Sequence, residues 1–160
     1  MARPERSRLE VWQQFLRAHR RVLGVLGDEL EQERGLPLAW YEVLLHLERA
    51  PGRRLRMGDL ADAVVLSPSG LTRLVDRMVD DGLVRREPCP SDRRSTYAVL
   101  TADGRSALRR AAPTHLRGID EHFARVLTDN EVDVLSRALG RVLDALDEPA
   151  NGPPRRAPSA

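Results

Sequence analysis

Lysine is absent from this chain of 160 residues: all 26 basic residues are arginine. Set against 24 acidic residues they leave a formal charge of only +2, so the sign of any surface depends on where the arginines fall. Aromatic residues are scarce, with two Trp, two Tyr and two Phe. A core without them must be built from Leu, Val and Ala, which suits packed helices better than a β-sandwich. The single cysteine, Cys89, excludes an internal disulfide and fits a reducing compartment. No run approaches the roughly 18 apolar residues of a membrane helix, and residues 1–9 are too charged and too short for a signal peptide. The expectation is a cytoplasmic protein without a membrane partner. No P-loop, dinucleotide fingerprint, nucleophile motif or metal-spaced Cys and His set occurs, so no enzyme, cofactor or metal site is expected.

What is present is helical periodicity. Over residues 6–33, Leu9, Trp12, Leu16, His19, Leu23, Leu26 and Leu30 alternate at three and four, a coiled-coil-like seam that Phe15, Val22 and Val25 widen. So long a helix needs a partner, either another subunit or its own chain. Gly35 and Pro37 end it. A second helix over 38–49 buries Trp40, Val43, Leu44 and Leu47, and the turn after it carries Arg53, Arg54 and Arg56, a solvated basic loop or a flank touching phosphate. Over 56–64 the spacing of Met57, Leu60, Ala61 and Val64 predicts a short amphipathic helix.

Ser67 is then a fitting N-cap, Pro68 suits the first helical position, and Leu71, Leu74, Val75, Met78 and Val79 form one stripe up to the stop at Gly82. The opposite face presents Ser69, Thr72, Arg73, Asp76 and Arg77. Small hydroxyls at a helix start allow close approach to a groove, and two arginines four residues apart reach phosphates or guanine edges. The same face also fits an ordinary wet surface. Residues 83–87 and 95–100 read as strands around a rigid, basic tip at 88–94. A hairpin of this kind can lay arginine in a minor groove, or be a plain surface hairpin.

The ordered run resembles the MarR family of winged-helix transcription regulators. Its carrying residues are Leu60 and Ala61, then Leu66 through Met78, then Gly82 to Arg86, and last Asp92, Arg93 and Arg94 followed by Leu100, Thr101 and Gly104. Thr96 and Ala98 depart from it, standing where bulkier apolar residues are common.

The resemblance implies a mostly α fold with a small β-hairpin wing. In it, 1–37 is an N-terminal dimerisation helix, 38–104 a winged helix-turn-helix DNA-binding part, and 105–147 the C-terminal dimerisation helices. It implies a homodimer on double-stranded DNA bearing an inverted repeat, with recognition helix 67–81 and wing 88–94. Ser67, Ser69, Thr72, Arg73, Arg77, Asp92, Arg93 and Arg94 are the expected DNA-facing residues. Asp92 would orient Arg94 by bidentate pairing, and Asp76 would position an arginine, since a free carboxylate repels phosphate. A winged-helix protein-interaction module without sequence-specific DNA binding is the alternative.

Family members commonly hold small anionic or aromatic effectors between the DNA-binding and dimerisation parts. Trp12, His19, Trp40, Glu42 and Arg73 have the chemistry for that here, although Trp12 and Trp40 as plain core aromatics are the stronger reading. Cys89 lies near Arg85, Arg86 and Arg93, but family members that sense oxidants carry their cysteine near the chain start. His115 and His122 lie two turns apart, too far for one shared site. Thr101 is expected to cap a long helix that Pro113 bends and whose apolar face extends to Phe123 and Val126. Thr128 and Glu131 form a capping box before the last stripe, Leu135 to Leu146. Residues 148–160, with Pro149, Gly152, Pro153, Pro154 and Pro158, read as a disordered tail.

Overall fold

A computed structural model describes residues 7–64, 66–89 and 92–147, with residues 92–94 described by backbone alone. The expected tail lies outside the described residues. The first helix, α1, runs Arg8–Arg34 and is opened by a capping box: Ser7 Oγ accepts from the Glu10 amide at 3.2 Å, and Glu10 Oε2 accepts from the Ser7 amide at 3.1 Å. Gly35 closes it with φ of 62°, a left-handed conformation that costs glycine little. Helix α2 (Leu38–Arg49) follows and stops before Pro51.

A short strand, β1 (Arg54–Arg56), then leads into α3 (Met57–Ala63) and α4 (Pro68–Asp80). The hairpin is β2 (Val84–Cys89) and β3 (Asp92–Leu100), followed by α5 (Ala102–His122) and α6 (Asp129–Asp147). The antiparallel sheet has the order β1-β3-β2, with Leu55 opposite Ala98 and Arg86 opposite Ala98 from the other side. The sheet therefore has three strands where the sequence suggested two. Strand β1 spans only three residues, two of them arginine, and such a segment carries no period-two signal. The hairpin is also longer than expected. Pro88 lies inside β2, which is an edge strand and can spare an amide on its outer side.

The core gathers α2, α3, α4, the sheet and the start of α5 around Leu30, Leu44, Leu47, Leu60, Leu71, Val75, Met78 and Val84, all at most 1% exposed. Ala98, small where a larger residue was expected, is fully buried at the sheet centre. Thr101 caps α5 by accepting from the Gly104 amide at 3.0 Å, while its hydroxyl donates to the Gly82 carbonyl at 2.7 Å. Gly104 is required there, because a Cβ on it would lie 2.1 Å from the Leu83 carbonyl oxygen. Helix α5 continues through Pro113 but ends at His122, short of the extent expected from its stripe. Val126 instead lies in a short 3-10 turn (Ala124–Val126), and Leu116 and Phe123 are exposed. The chain must turn within these few residues, because the Thr128–Glu131 capping box already opens α6: Glu131 Oε2 accepts from the Thr128 amide at 2.9 Å.

Two apolar faces remain outside the core. No residue of α6 is buried, and Val132, Leu135, Leu139, Val142, Leu143 and Leu146 stand exposed along it. In the first half of α1, Leu9, Trp12, Phe15 and Leu16 are exposed as well, whereas Leu26 and Leu30 are buried. Trp12 is 54% exposed, which corrects its reading as a core aromatic. No helix among the described residues is long and apolar enough to cross a membrane.

Candidate nucleic-acid interface

Helix α4 divides cleanly into two faces. Leu71, Leu74, Val75 and Met78 are buried, while Ser69, Thr72, Arg73, Asp76 and Arg77 are exposed. Ser67 caps the helix by accepting from the Gly70 amide at 3.2 Å, and its hydroxyl lies 3.4 Å from that of Ser69. Thr72 donates to the Pro68 carbonyl at 2.9 Å. The exposed hydroxyls are thus held close to the helix backbone, which keeps its first turn slim. Arg73 and Arg77 flank a shallow depression with Gly70 and Asp76. A slim helix start followed by two cations one turn apart is suited to a DNA groove.

Asp76 is occupied. Its Oδ1 accepts from Arg86 Nη2 at 2.8 Å, and the same nitrogen lies 3.4 Å from the Thr72 carbonyl. The arginine that Asp76 was expected to position thus comes from β2. The link ties the hairpin to the polar side of α4. No local pattern pairs residues ten apart across a helix and a strand, so only the fold reveals the partner.

The other arginines near the sheet are paired too. Arg53 meets Glu48 at 3.1 Å, and Glu48 also receives Arg105 Nε at 3.0 Å. Arg54 lies 3.8 Å from Glu87 and stacks 5.0 Å above the Tyr97 ring, while Arg85 pairs with Glu87. A hydrogen bond with Tyr97 is the first cause that holds the Arg56 guanidinium above its usual pKa. The basic turn after α2 is therefore knitted into the sheet. Cys89 itself is buried and sits opposite Asp92 in the hairpin register. The side chains of Asp92, Arg93 and Arg94 lie outside the described residues, although their backbone begins β3.

The five effector candidates fall in different places. Trp40 lines a cleft of about 360 Å³ together with Glu33, Arg34, Leu36, Asp81, Leu83 and Arg110. Arg34 and Arg110, which the sequence did not single out, supply its cations. Glu42 is half-buried on α2, and burial raises its carboxyl pKa against the opposing charges of His46 and His19. His19 stacks on Phe15, which stacks on Trp12, with ring centres 6.1 and 5.9 Å apart. Arg73 stands on α4. Among the described residues, no cavity brings these five together.

The two histidines of α5 go separate ways, as their spacing requires. His115 packs against Tyr41 with ring centres 4.4 Å apart, and burial lowers its pKa. His122 meets Glu29 of α1 at 2.6 Å.

Two short helices, the second with a bare polar face, followed by a hairpin tied to that face, define a winged helix-turn-helix DNA-binding protein. The comparisons narrow the class. A model of the MarR family matches residues 34–95. The crystal structures of two Streptomyces coelicolor MarR family transcriptional regulators superimpose on the chain: AbsC with 34% identity and a TM-score of 0.79, covering 91% of this chain and 98% of that one, and Sco3205, solved in complex with DNA, with 32% identity and a TM-score of 0.81, covering 96% and 95%. The HTH-type transcriptional regulator MhqR of Bacillus subtilis (strain 168) is 32% identical over 101 residues, 63% of this chain and 66% of that one. The chain belongs to the MarR family of transcriptional regulators.

Proposed function

We propose that this regulator is a homodimeric, ligand-responsive repressor that binds an inverted repeat in double-stranded DNA through recognition helix 67–81 and wing 88–94. The carrying observation is the exposed face of α4, where Ser69, Thr72, Arg73 and Arg77 stand clear of the core while Arg86 locks Asp76 out of their way. The likeness to Sco3205, a relative solved on DNA, supports the same use of the helix. The unburied stripes of α6 and early α1 support dimerisation, because apolar faces of this extent call for a partner surface. Two helices held by one dimer read half-sites about one helical turn apart. A small anionic or aromatic effector would act by binding better to a dimer whose helices no longer match that spacing. The Trp40 cleft with Arg34 and Arg110, and the Glu42 and His19 neighbourhood, are the surfaces for a thermal-shift screen of such molecules.

The deciding experiment is a gel-shift on the promoters of its own gene and of neighbouring genes, repeated over a salt series. Affinity should fall steeply with salt, and Arg73→Ala and Arg94→Ala should each reduce the log–log salt slope by about 1. An unchanged affinity in the double variant would reject these contacts. A dimer with no sequence preference across a broad promoter library would reject the regulator reading in favour of a protein-interaction module.

A further inference from the structure

Glu29 on α1 and Glu121 and His122 in the last turn of α5 bring two carboxylates and an imidazole together, one donor atom of each within 4.8 Å of the others. The sequence conceals this set, since Glu29 stands 93 residues before His122. Gly118 makes room for it. A Cβ at that position would lie 2.6 Å from Glu29 Oε2 and 2.5 Å from Leu26 Cδ2, so glycine lets α1 and the carboxylate settle against α5. Glu29 Oε1 accepts from His122 Nε2 at 2.6 Å, whereas Oε2 is sealed from solvent without a hydrogen-bond partner. An enclosed carboxylate oxygen that accepts no hydrogen bond carries a desolvation cost that a bound cation offsets. Arg117 does not fill that role. It hydrogen-bonds Glu33 and acts on Glu121 and Glu29 through its charge.

We propose that Glu29, Glu121 and His122 form a binding site for a divalent transition-metal ion, of which zinc fits best. One imidazole nitrogen and two carboxylate oxygens are a zinc donor set, with water completing a tetrahedron. Metal–ligand bonds of about 2.0–2.2 Å place tetrahedral donors about 3.3–3.6 Å apart. The close His122–Glu29 contact must therefore open by a small rotation, and exposed Glu121 must swing inward. The site joins α1 to the end of α5, beside the turn that leads into α6. On the dimer reading above, an ion there stiffens the joint between the interface helices, but its binding does not depend on that reading.

The test is calorimetric titration of zinc chloride into the full chain after treatment with a chelator, with cobalt absorption as a second readout. The expected result is one ion per chain, with affinity at least about tenfold weaker in Glu29→Gln and in His122→Ala. It should be unchanged in His46→Ala, whose imidazole lies by Glu42. Zinc should also raise the melting temperature of the wild type and not of Glu29→Gln, a variant whose metal-free fold is checked by circular dichroism. Absence of uptake by the folded wild type would overturn the site, as would binding that survives in both Glu29→Gln and His122→Ala. A gel-shift run in parallel reports separately on the DNA reading: its failure leaves the zinc titration to decide this site.

Discussion

Asp76 shows how one carboxylate can serve a DNA-binding face without touching DNA. Placed between Arg73 and Arg77 it would repel phosphate, but its bond to Arg86 turns that charge toward the hairpin. Asp76→Asn should keep the fold, because Asp76 is exposed, the amide still accepts from Arg86, and an ion pair open to solvent on one side adds little stability. It should nevertheless weaken operator binding several-fold, since the anchor shared by wing and helix loses its charge. Gel-shift and thermal melting of the same variant separate the two effects, and an unchanged affinity would show the link to be incidental. His115 supplies a pH-dependent prediction. Burial against Tyr41 lowers its folded pKa below the usual 6.5, so the unfolded chain binds its proton more readily. This cost is absent above the unfolded value, grows as pH falls through it, and is complete below the folded value. His115→Phe keeps a ring on Tyr41 and removes the titration. Wild-type stability should therefore drop relative to the variant as pH falls below about 7 through the usual histidine range, and melting curves that stay parallel there would refute the assignment.

At the level of elements, the joints matter more than the helices themselves. The start of α5 packs on the turn after α4 so closely that Gly104 leaves no space for a side chain, and Thr101 fastens the same turn with its hydroxyl. Gly104→Ala would drive a Cβ into the Leu83 backbone carbonyl, an overpacking that costs about 1–3 kcal/mol. A melting temperature within a degree of wild type would show that the joint yields freely. A second joint ties the end of α1 to α5 over some eighty residues of chain. Arg34 donates to Thr114 at 2.9 Å, Thr114 donates to Glu33 at 3.0 Å, and Arg117 closes the group on Glu33. The hydrogen bond from Arg117, followed by that from Thr114, lowers the Glu33 pKa, so the carboxylate of this network keeps its charge further into acid than a free glutamate. Here the helices were legible from period and caps: Ser67, Thr101, Thr128 and Gly35 stand where the chain begins or ends a helix. Strand β1 was not legible, being too short to show alternation.

Across the whole molecule, α6 and the first half of α1 stand apart from the core with their apolar stripes in solvent. On the proposed dimer these stripes meet a second copy. Leu139→Glu with Leu143→Glu should therefore yield monomers, lower DNA affinity by more than tenfold and leave the winged core folded; light scattering that still reports a dimer would move the interface elsewhere. The sequence alone was enough to determine most helix starts and stops and the amphipathic split of α4, because periodicity and caps are local and survive in one dimension, and the ordered arginine motif carried the resemblance to the family. Pairings between distant residues were left to the tertiary structure. Only packing chose Arg86 as the partner of Asp76, brought Arg54 and Arg56 to Tyr97, separated Trp12 from Trp40, and set Glu29 against Glu121 and His122. Each of these depends on which faces of two elements touch, and that is decided by how side-chain volumes such as those of Gly104 and Gly118 let the elements approach.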